Sequence, residues 1–333
     1  GKNAEKSDGS FRTLAGFAAA TGKNHGYDSY YGIDGSVDAH IMAALDGTGD
    51  FEGASDVVRY QGISKLTANL GMVAYTIHEL NSAVAKADAG NVDNDSGAPH
   101  NWDEGWAFFH GPDEDYGCSP AKVMEKRAAD FGTADENGVA ATFAATEAAM
   151  VSGLAALQAS DADGYNGAVD TIVKNVMITY SQAVLKYTSK MDSNTTAEKY
   201  QAEGYAFWKT MEAYAAPHMH DGCDNSVLNS VMLMGEINAS TCDAFIWTQH
   251  NGEGDYMCYN TVTHSVSSEA TTEEECAGYS ADGYMDNYAA TMMNDVLDLT
   301  DASQLGTSYD VAPWLQPVWD YYGITSDDIG SMS

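Results

Sequence analysis

Glu104-Gly105-Trp106-Ala107-Phe108-Phe109 returns further along the chain as Glu203-Gly204-Tyr205-Ala206-Phe207-Trp208. A repeated unit sets the architecture, so this match is read first. Upstream, Ala43-Ala44-Leu45 followed by Phe51-Glu52-Gly53-Ala54-Ser55-Asp56 answers to Ala155-Ala156-Leu157 followed by Tyr165-Asn166-Gly167-Ala168-Val169-Asp170. Downstream, Asp115-Tyr116-Gly117-Cys118 answers to Asp221-Gly222-Cys223, and the order is kept throughout. Asp56 and Glu104 are 48 positions apart, Asp170 and Glu203 only 33. The difference is an insertion in the first copy, Asp88 to Asn101, built from Gly, Asn, Asp, Ser and Pro and expected to be an exposed loop.

Between these landmarks the apolar residues recur at three or four positions, the helical period. The pattern predicts helices over Ser36–Leu45, Ala54–Ala87, Ser119–Asp130, Val139–Leu157, Asp170–Lys190, Ala197–Tyr214 and Tyr284–Leu299, with a Met-rich helix over Ser226–Ile237. A short helix within Phe11–Ala20 and an aromatic segment from Val311 to Tyr322 flank them. The expected fold is all-α: an internally duplicated helical bundle of two four-helix units, with C-terminal helices and a disulfide-tied loop region. Its parts are an arm (1–34), a first repeat (35–137), a second repeat (138–240) and a Cys-containing segment with the last helices (241–333), all in one compact body.

The chain has 333 residues, 44% of them apolar, and a formal charge of −34 from 49 acidic against 15 basic side chains. That charge argues against a nucleic-acid partner and disfavours an anionic membrane surface. No apolar run is long enough to span a bilayer, so membrane insertion is not expected. Four of the five cysteines fall between Cys223 and Cys276 without a C-x-x-C pair, which suggests disulfides and an oxidising compartment. Proximity in sequence favours Cys223–Cys242 and Cys258–Cys276, leaving Cys118 free. Sequons at Asn94, Asn194 and Asn238 agree with export, and Gly1 reads as the start of a mature chain.

On a helix, Glu104 shares a face with Phe108 and Glu203 with Phe207. A carboxylate on an aromatic face needs a partner, a hydrogen bond or a metal. The alternative is that each glutamate sits in a first turn and caps backbone N–H groups. Glu147 falls on the stripe Phe143, Met150, Leu154 and is a candidate buried carboxylate. His40 borders a helical stripe, and His78-Glu79 lies near the end of its helix. Duplicated helices could bring Glu104 and Glu203 to a shared axis, with Glu147, His40, His78 and Glu79 as further donors. His218, His220 and Asp221 form a second cluster of metal-like composition in a loop.

The block Trp102-Asp103-Glu104-Gly105-Trp106-Ala107-Phe108-Phe109, with its doubling and the cysteine after it, resembles the iron-assimilating, low-iron-inducible periplasmic proteins of algae over roughly residues 35 to 300. That resemblance implies a secreted, periplasmic or cell-surface protein that captures iron without a reaction of its own, a membrane iron transporter or reductase being the receiving partner. More distantly the chain is similar to imelysin-like helical proteins of bacteria, which carry a His and a Glu three residues later on an early helix. Here His40 supplies the histidine, but Ala43 stands where the glutamate would be. Carboxylates, imidazoles and 20 tyrosines suit a hard cation such as ferric or ferrous iron. Two other readings stay open, a metal-dependent extracellular enzyme and a structural cell-surface protein. No nucleophile elbow, phosphate loop or H-E-x-x-H helix is present to favour the enzyme.

Overall fold

The computed structural model describes residues 9, 13–111, 119–250 and 254–332. Two short helices, α1 (Leu14–Ala18) and α2 (Tyr27–Tyr31), precede α3 (Ser36–Asp46), α4 (Asp56–Leu66), α5 (Met72–Asp88), α6 (Ala98–His110), α7 (Pro120–Phe131), α8 (Ala141–Ala159), α9 (Ala162–Thr188) and α10 (Ala197–Ala215). Strands follow: β1 (Asp221–Asn225), β2 (Ser230–Gly235), then α11 (Ala239–Cys242), β3 (Phe245–His250), β4 (Asp255–Asn260), β5 (Val266–Ser267), α12 (Glu273–Ala277) and β6 (Tyr279–Met285). The chain ends with α13 (Tyr288–Val296), α14 (Ala312–Tyr322) and α15 (Ser326–Ile329). The fold is thus mostly helical but not all-α, for it holds two three-stranded antiparallel sheets, ordered β2-β1-β6 and β3-β4-β5.

The chain divides into two compact units, the first of residues 1–214, 296–311 and 322–333 and the second of residues 215–295 and 312–321. In the first, α4 and α5 are joined by a π-helical turn, Thr67–Gly71, as the unbroken helical pattern implied. The buried Asn69 satisfies that turn: its amide donates to the Lys65 carbonyl at 2.8 Å, and its oxygen accepts from the Tyr180 hydroxyl at 3.0 Å. Ser55 and Ser119 cap α4 and α7, accepting from Val58 N and Lys122 N, the local chemistry that made both starts readable. Trp102, Trp208, Tyr27, Tyr180, Phe51 and Phe109 fill the core. Both motif glycines mark close packing. A side chain at Gly105 would meet the Thr76 carbonyl at 3.2 Å, and one at Gly204 would meet Leu297 Cδ2 at 2.9 Å.

The second unit has a thin core of Cys223, Cys242, Cys258, Cys276, Phe245, Ala270 and Tyr279. Its disulfides are Cys223–Cys242 and Cys258–Cys276, the pairing that sequence proximity favoured. Cys118 lies outside the described residues, as does Asp115 to Gly117 before it. The Met-rich segment Ser226–Ile237 is not a helix. Residues 230–235 form β2, paired antiparallel with β1 so that Met232 lies opposite Cys223. The run Val231-Met232-Leu233-Met234 is apolar at every position and too short for its period to separate helix from strand. Its turn decides: Asn225 Oδ1 accepts from Val227 N and Leu228 N, and Asn229 takes a left-handed conformation at φ 54°. The helix expected to start at Tyr284 likewise starts at Tyr288, because Tyr284 and Met285 belong to β6.

Candidate functional site

Glu104 is the seventh residue of α6 and Glu203 the seventh of α10. Neither stands in a first turn, so the capping explanation fails for both. Glu104 Oε1 lies 3.2 Å from His100 Nε2, one helical turn back. Glu203, only 6% exposed, has Lys65 Nζ at 3.9 Å. Glu147 accepts a hydrogen bond of 2.8 Å from the indole of Trp106, and so faces the first motif rather than standing alone. Glu79 accepts from the Asn101 amide at 2.5 Å. His78 accepts from the Asn24 backbone N–H at 2.9 Å, with Lys23 Nζ at 3.3 Å. Among the described residues no three His, Cys, Asp or Glu side chains stand close enough together to hold a metal ion.

The loop candidates in the second unit are also structural in part. Asp221 is buried and accepts from the backbone N–H groups of Ile237 at 2.9 Å and Asn287 at 2.7 Å. His218 stacks on Tyr321 with ring centres 3.5 Å apart and lies 3.9 Å from Glu236.

A further gathering of hard donors in the first unit involves His40 and residues that periodicity did not single out. Glu212, 2% exposed, accepts from the Tyr31 hydroxyl at 2.7 Å, the Tyr30 hydroxyl at 3.2 Å and the Lys209 ammonium at 2.7 Å. That ammonium also lies over the rings of Tyr31 and Tyr205, 5.6 and 5.5 Å from their centres. Tyr205, in the second motif, donates to Asp50 at 2.6 Å. The His40 ring sits 4.6 Å from that of Tyr31. Its Nδ1 donates to the Ser36 carbonyl at 2.7 Å, leaving the lone pair on Nε2, the tautomer a metal-binding imidazole uses. The Tyr31 and Tyr205 phenols are held protonated well above their ordinary range, first by burial and then by Glu212 and Asp50 respectively. The missed signals were a Lys209-x-x-Glu212 pair on one helix face and Tyr30-Tyr31 in a segment read only as a packing arm.

Burial, the largest cause in each case, pulls the pKa of His25, His40 and His78 below the usual 6.5. The unfolded chain therefore binds more protons than the folded one below that value. The stability contributed is complete above pH 6.5 and is lost as pH falls through the window beneath it. Thermal unfolding of the first unit is expected to move to lower temperature between about pH 7 and about pH 5, before the carboxylates titrate. Replacing the three histidines by Gln should flatten that slope, and an unchanged slope would show that other groups carry it.

Taken together, the helical body and the disulfide-tied strands define a protein built for an oxidising compartment. A family model described as low iron-inducible periplasmic protein (Fea1) matches residues 1–223, and the chain belongs to that family. The description places the family in the periplasm, and no helix among the described residues is long and apolar enough to cross a membrane. No curated protein and no solved structure matches the chain. The match ends at the first disulfide cysteine, short of the residue 300 that the resemblance suggested.

Proposed function

We propose that the protein captures iron outside the plasma membrane and passes it to a membrane transporter or reductase, acting as a binding protein rather than an enzyme. The observation that carries this reading is the grouping of Tyr31, Tyr205 and Glu212 about one ammonium, Lys209, with His40 against Tyr31 and Asp50 bonded to Tyr205, in a chain whose family is induced by low iron. Phenolate, carboxylate and imidazole are the donors a hard ferric ion prefers. Lys209 supplies the positive charge that keeps a buried Glu212 affordable without metal. Because the phenols must release protons to become ligands, iron affinity should rise with pH.

A second reading keeps the motif glutamates. Glu104 has an imidazole beside it, and Glu147 is bonded to Trp106 two residues further on, so α6 and α8 offer an alternative set of donors. The shared position of Glu104 and Glu203 in their helices also supports reading the two helices as copies of one unit.

Titration of the purified protein with a soluble ferric chelate separates these. The wild type should bind one ion and develop the visible tyrosinate-to-iron charge-transfer band, while Tyr31→Phe and Tyr205→Phe should lose the band and at least tenfold in affinity. Unchanged binding in both, together with loss in Glu104→Gln, Glu147→Gln or Glu203→Gln, would transfer the site to the motif glutamates. No tight binding by the wild type would end the iron-capture reading.

A further inference from the structure

Tyr205, Lys209 and Glu212 stand at i, i+4 and i+7 on α10, so one helix face carries a phenol, an ammonium and a carboxylate. Lys209 is 8% exposed and Glu212 2%, and their ion pair, 2.7 Å long, lies inside the donor cluster. The ammonium lies over the Tyr31 and Tyr205 rings, while Glu212 also accepts from the Tyr30 and Tyr31 hydroxyls. Burial is the largest cause of the low His40 pKa, and beyond it the imidazole feels the charges of Lys209, Asp50 and Glu212 alike. A chain with 49 acidic and 15 basic residues thus buries one of its few cations against the carboxylate an incoming ion would need.

That ammonium changes what the site can hold. Glu212 and Asp50 bring two negative charges and Lys209 one positive charge, so the metal-free donors sum to one negative unit with the phenols and the imidazole neutral. Burial first, and then Glu212 and Asp50 respectively, hold the Tyr31 and Tyr205 phenols protonated well above their ordinary range. A calcium or magnesium ion acidifies a phenol too weakly to ionise it there. Such an ion would lose its water beside an ammonium and gain little negative charge in return. A ferric ion makes its own ligands, because a bound cation of high charge inverts the local pKa order. Two phenols release their protons to solvent, and the two phenolates with the one negative unit already present balance its three charges.

We propose that Lys209 sets the charge selectivity of this site, as a built-in counter-ion that keeps out divalent cations of the calcium and magnesium type. The proposal rests on the capture reading for the ion admitted and goes beyond it in assigning a residue to the refusal of others. Refusal matters because a surface of formal charge −34 concentrates every cation around it. Without the ammonium, Glu212 and Asp50 present two negative units, and a divalent ion balances them with no phenol ionised.

The test uses the metal-free full chain as wild type, Lys209→Arg and Lys209→Gln, whose amide still reaches Glu212 without a charge. Thermal unfolding by circular dichroism and calorimetric titration are run with calcium chloride and with magnesium chloride, at constant ionic strength set by sodium chloride. Wild type and Lys209→Arg should show the same weak surface binding. Lys209→Gln should melt at lower temperature, recover towards wild type when calcium is added, and gain one saturable site at least tenfold tighter than any in wild type. Adding Glu212→Gln to that variant should abolish the gain, which places the new site at Glu212. Equal divalent affinity in wild type and Lys209→Gln would overturn the proposal. So would failure of Lys209→Gln to fold with calcium present, since the ion should then stand in for the ammonium. None of these arms contains iron, so a wild type that binds no ferric ion ends the capture reading through its own titration and is not confused with this result.

Discussion

Trp102→Ala is expected to destabilise the first unit by about 3–5 kcal/mol, the range for emptying a buried indole. Trp102 is fully buried, and its Nε1–H donates to the Met150 carbonyl at 2.9 Å. Deletion removes the ring's contacts and leaves that carbonyl to find another donor. The surroundings are poorly placed to collapse, because α8 already approaches as closely as it can: a side chain at Gly153 would overlap the Trp102 ring and meet Ala168 Cβ at 2.9 Å. Gly153 is therefore the complement of Trp102, and Gly153→Ala should destabilise by the reverse route, overpacking. Urea unfolding followed by circular dichroism measures both. A change below about 1 kcal/mol for Trp102→Ala would mean that α6 and α8 slide together to fill the space.

Reduction of Cys223–Cys242 and Cys258–Cys276 is expected to unfold the second unit while leaving the helical signal of the first. The bridges close loops of sequence separation 19 and 18, each worth about 3 kcal/mol by chain entropy. Their sum, about 6 kcal/mol, is comparable with the whole stability of a small domain. The core of this unit has little else, since its four half-cystines are packed with Phe245, Ala270 and Tyr279 and only partly buried apolar neighbours. Cys258→Ser with Cys276→Ser removes one bridge and should loosen β3 and β4, which Cys258 anchors at the centre of their sheet. Hydrogen exchange under reducing conditions reads both units at once. Uniform protection in Phe245–His250 and Asp255–Asn260 after reduction would show that strand pairing suffices alone.

The helices of the first unit were readable because their signals are local. Ser55 and Ser119 announce two starts, Gly47 and Gly132 follow two ends in left-handed conformations, and the apolar stripe between needs no knowledge of distant residues. The disulfide pairing was readable for the same reason, each bridge joining neighbours in sequence. The strands were not. Residues 230–235 are half-buried on both faces, so no alternation of apolar and polar residues marks β2. The Tyr31–Glu212 pair spans 181 positions, and Tyr205–Asp50 spans 155. No local period records which aromatic will meet which carboxylate across such distances, and of the candidate donors only His40, on the border of a stripe, could be named from sequence. The motif singled out Glu104 and Glu203; Glu203 is buried and Glu104 half-buried, and while His100 beside Glu104 is a helical neighbour, Lys65 reaches Glu203 only through tertiary packing.

The division of the first unit into three stretches of chain bears on how it is made. Residues 1–214 leave the ribosome first, and the segments 296–311 and 322–333 arrive only after residues 215–295, most of the second unit, have been synthesised. Until then several groups of the early helices lack their native partners. Gln201 awaits the carbonyls of Val296 and Asp298, Gln182 that of Ile329, and the Met191 and Thr188 carbonyls await Gly306 N and Tyr309 N. Contacts of such long sequence separation form late and slow folding. A nascent chain that has completed every long helix is consequently still an intermediate, with the Thr188 and Met191 carbonyls, at and just past the end of α9, lacking Tyr309 N and Gly306 N for as long as translation of the remainder takes. A fragment cut at residue 223, where the family match ends, would be held permanently at that stage.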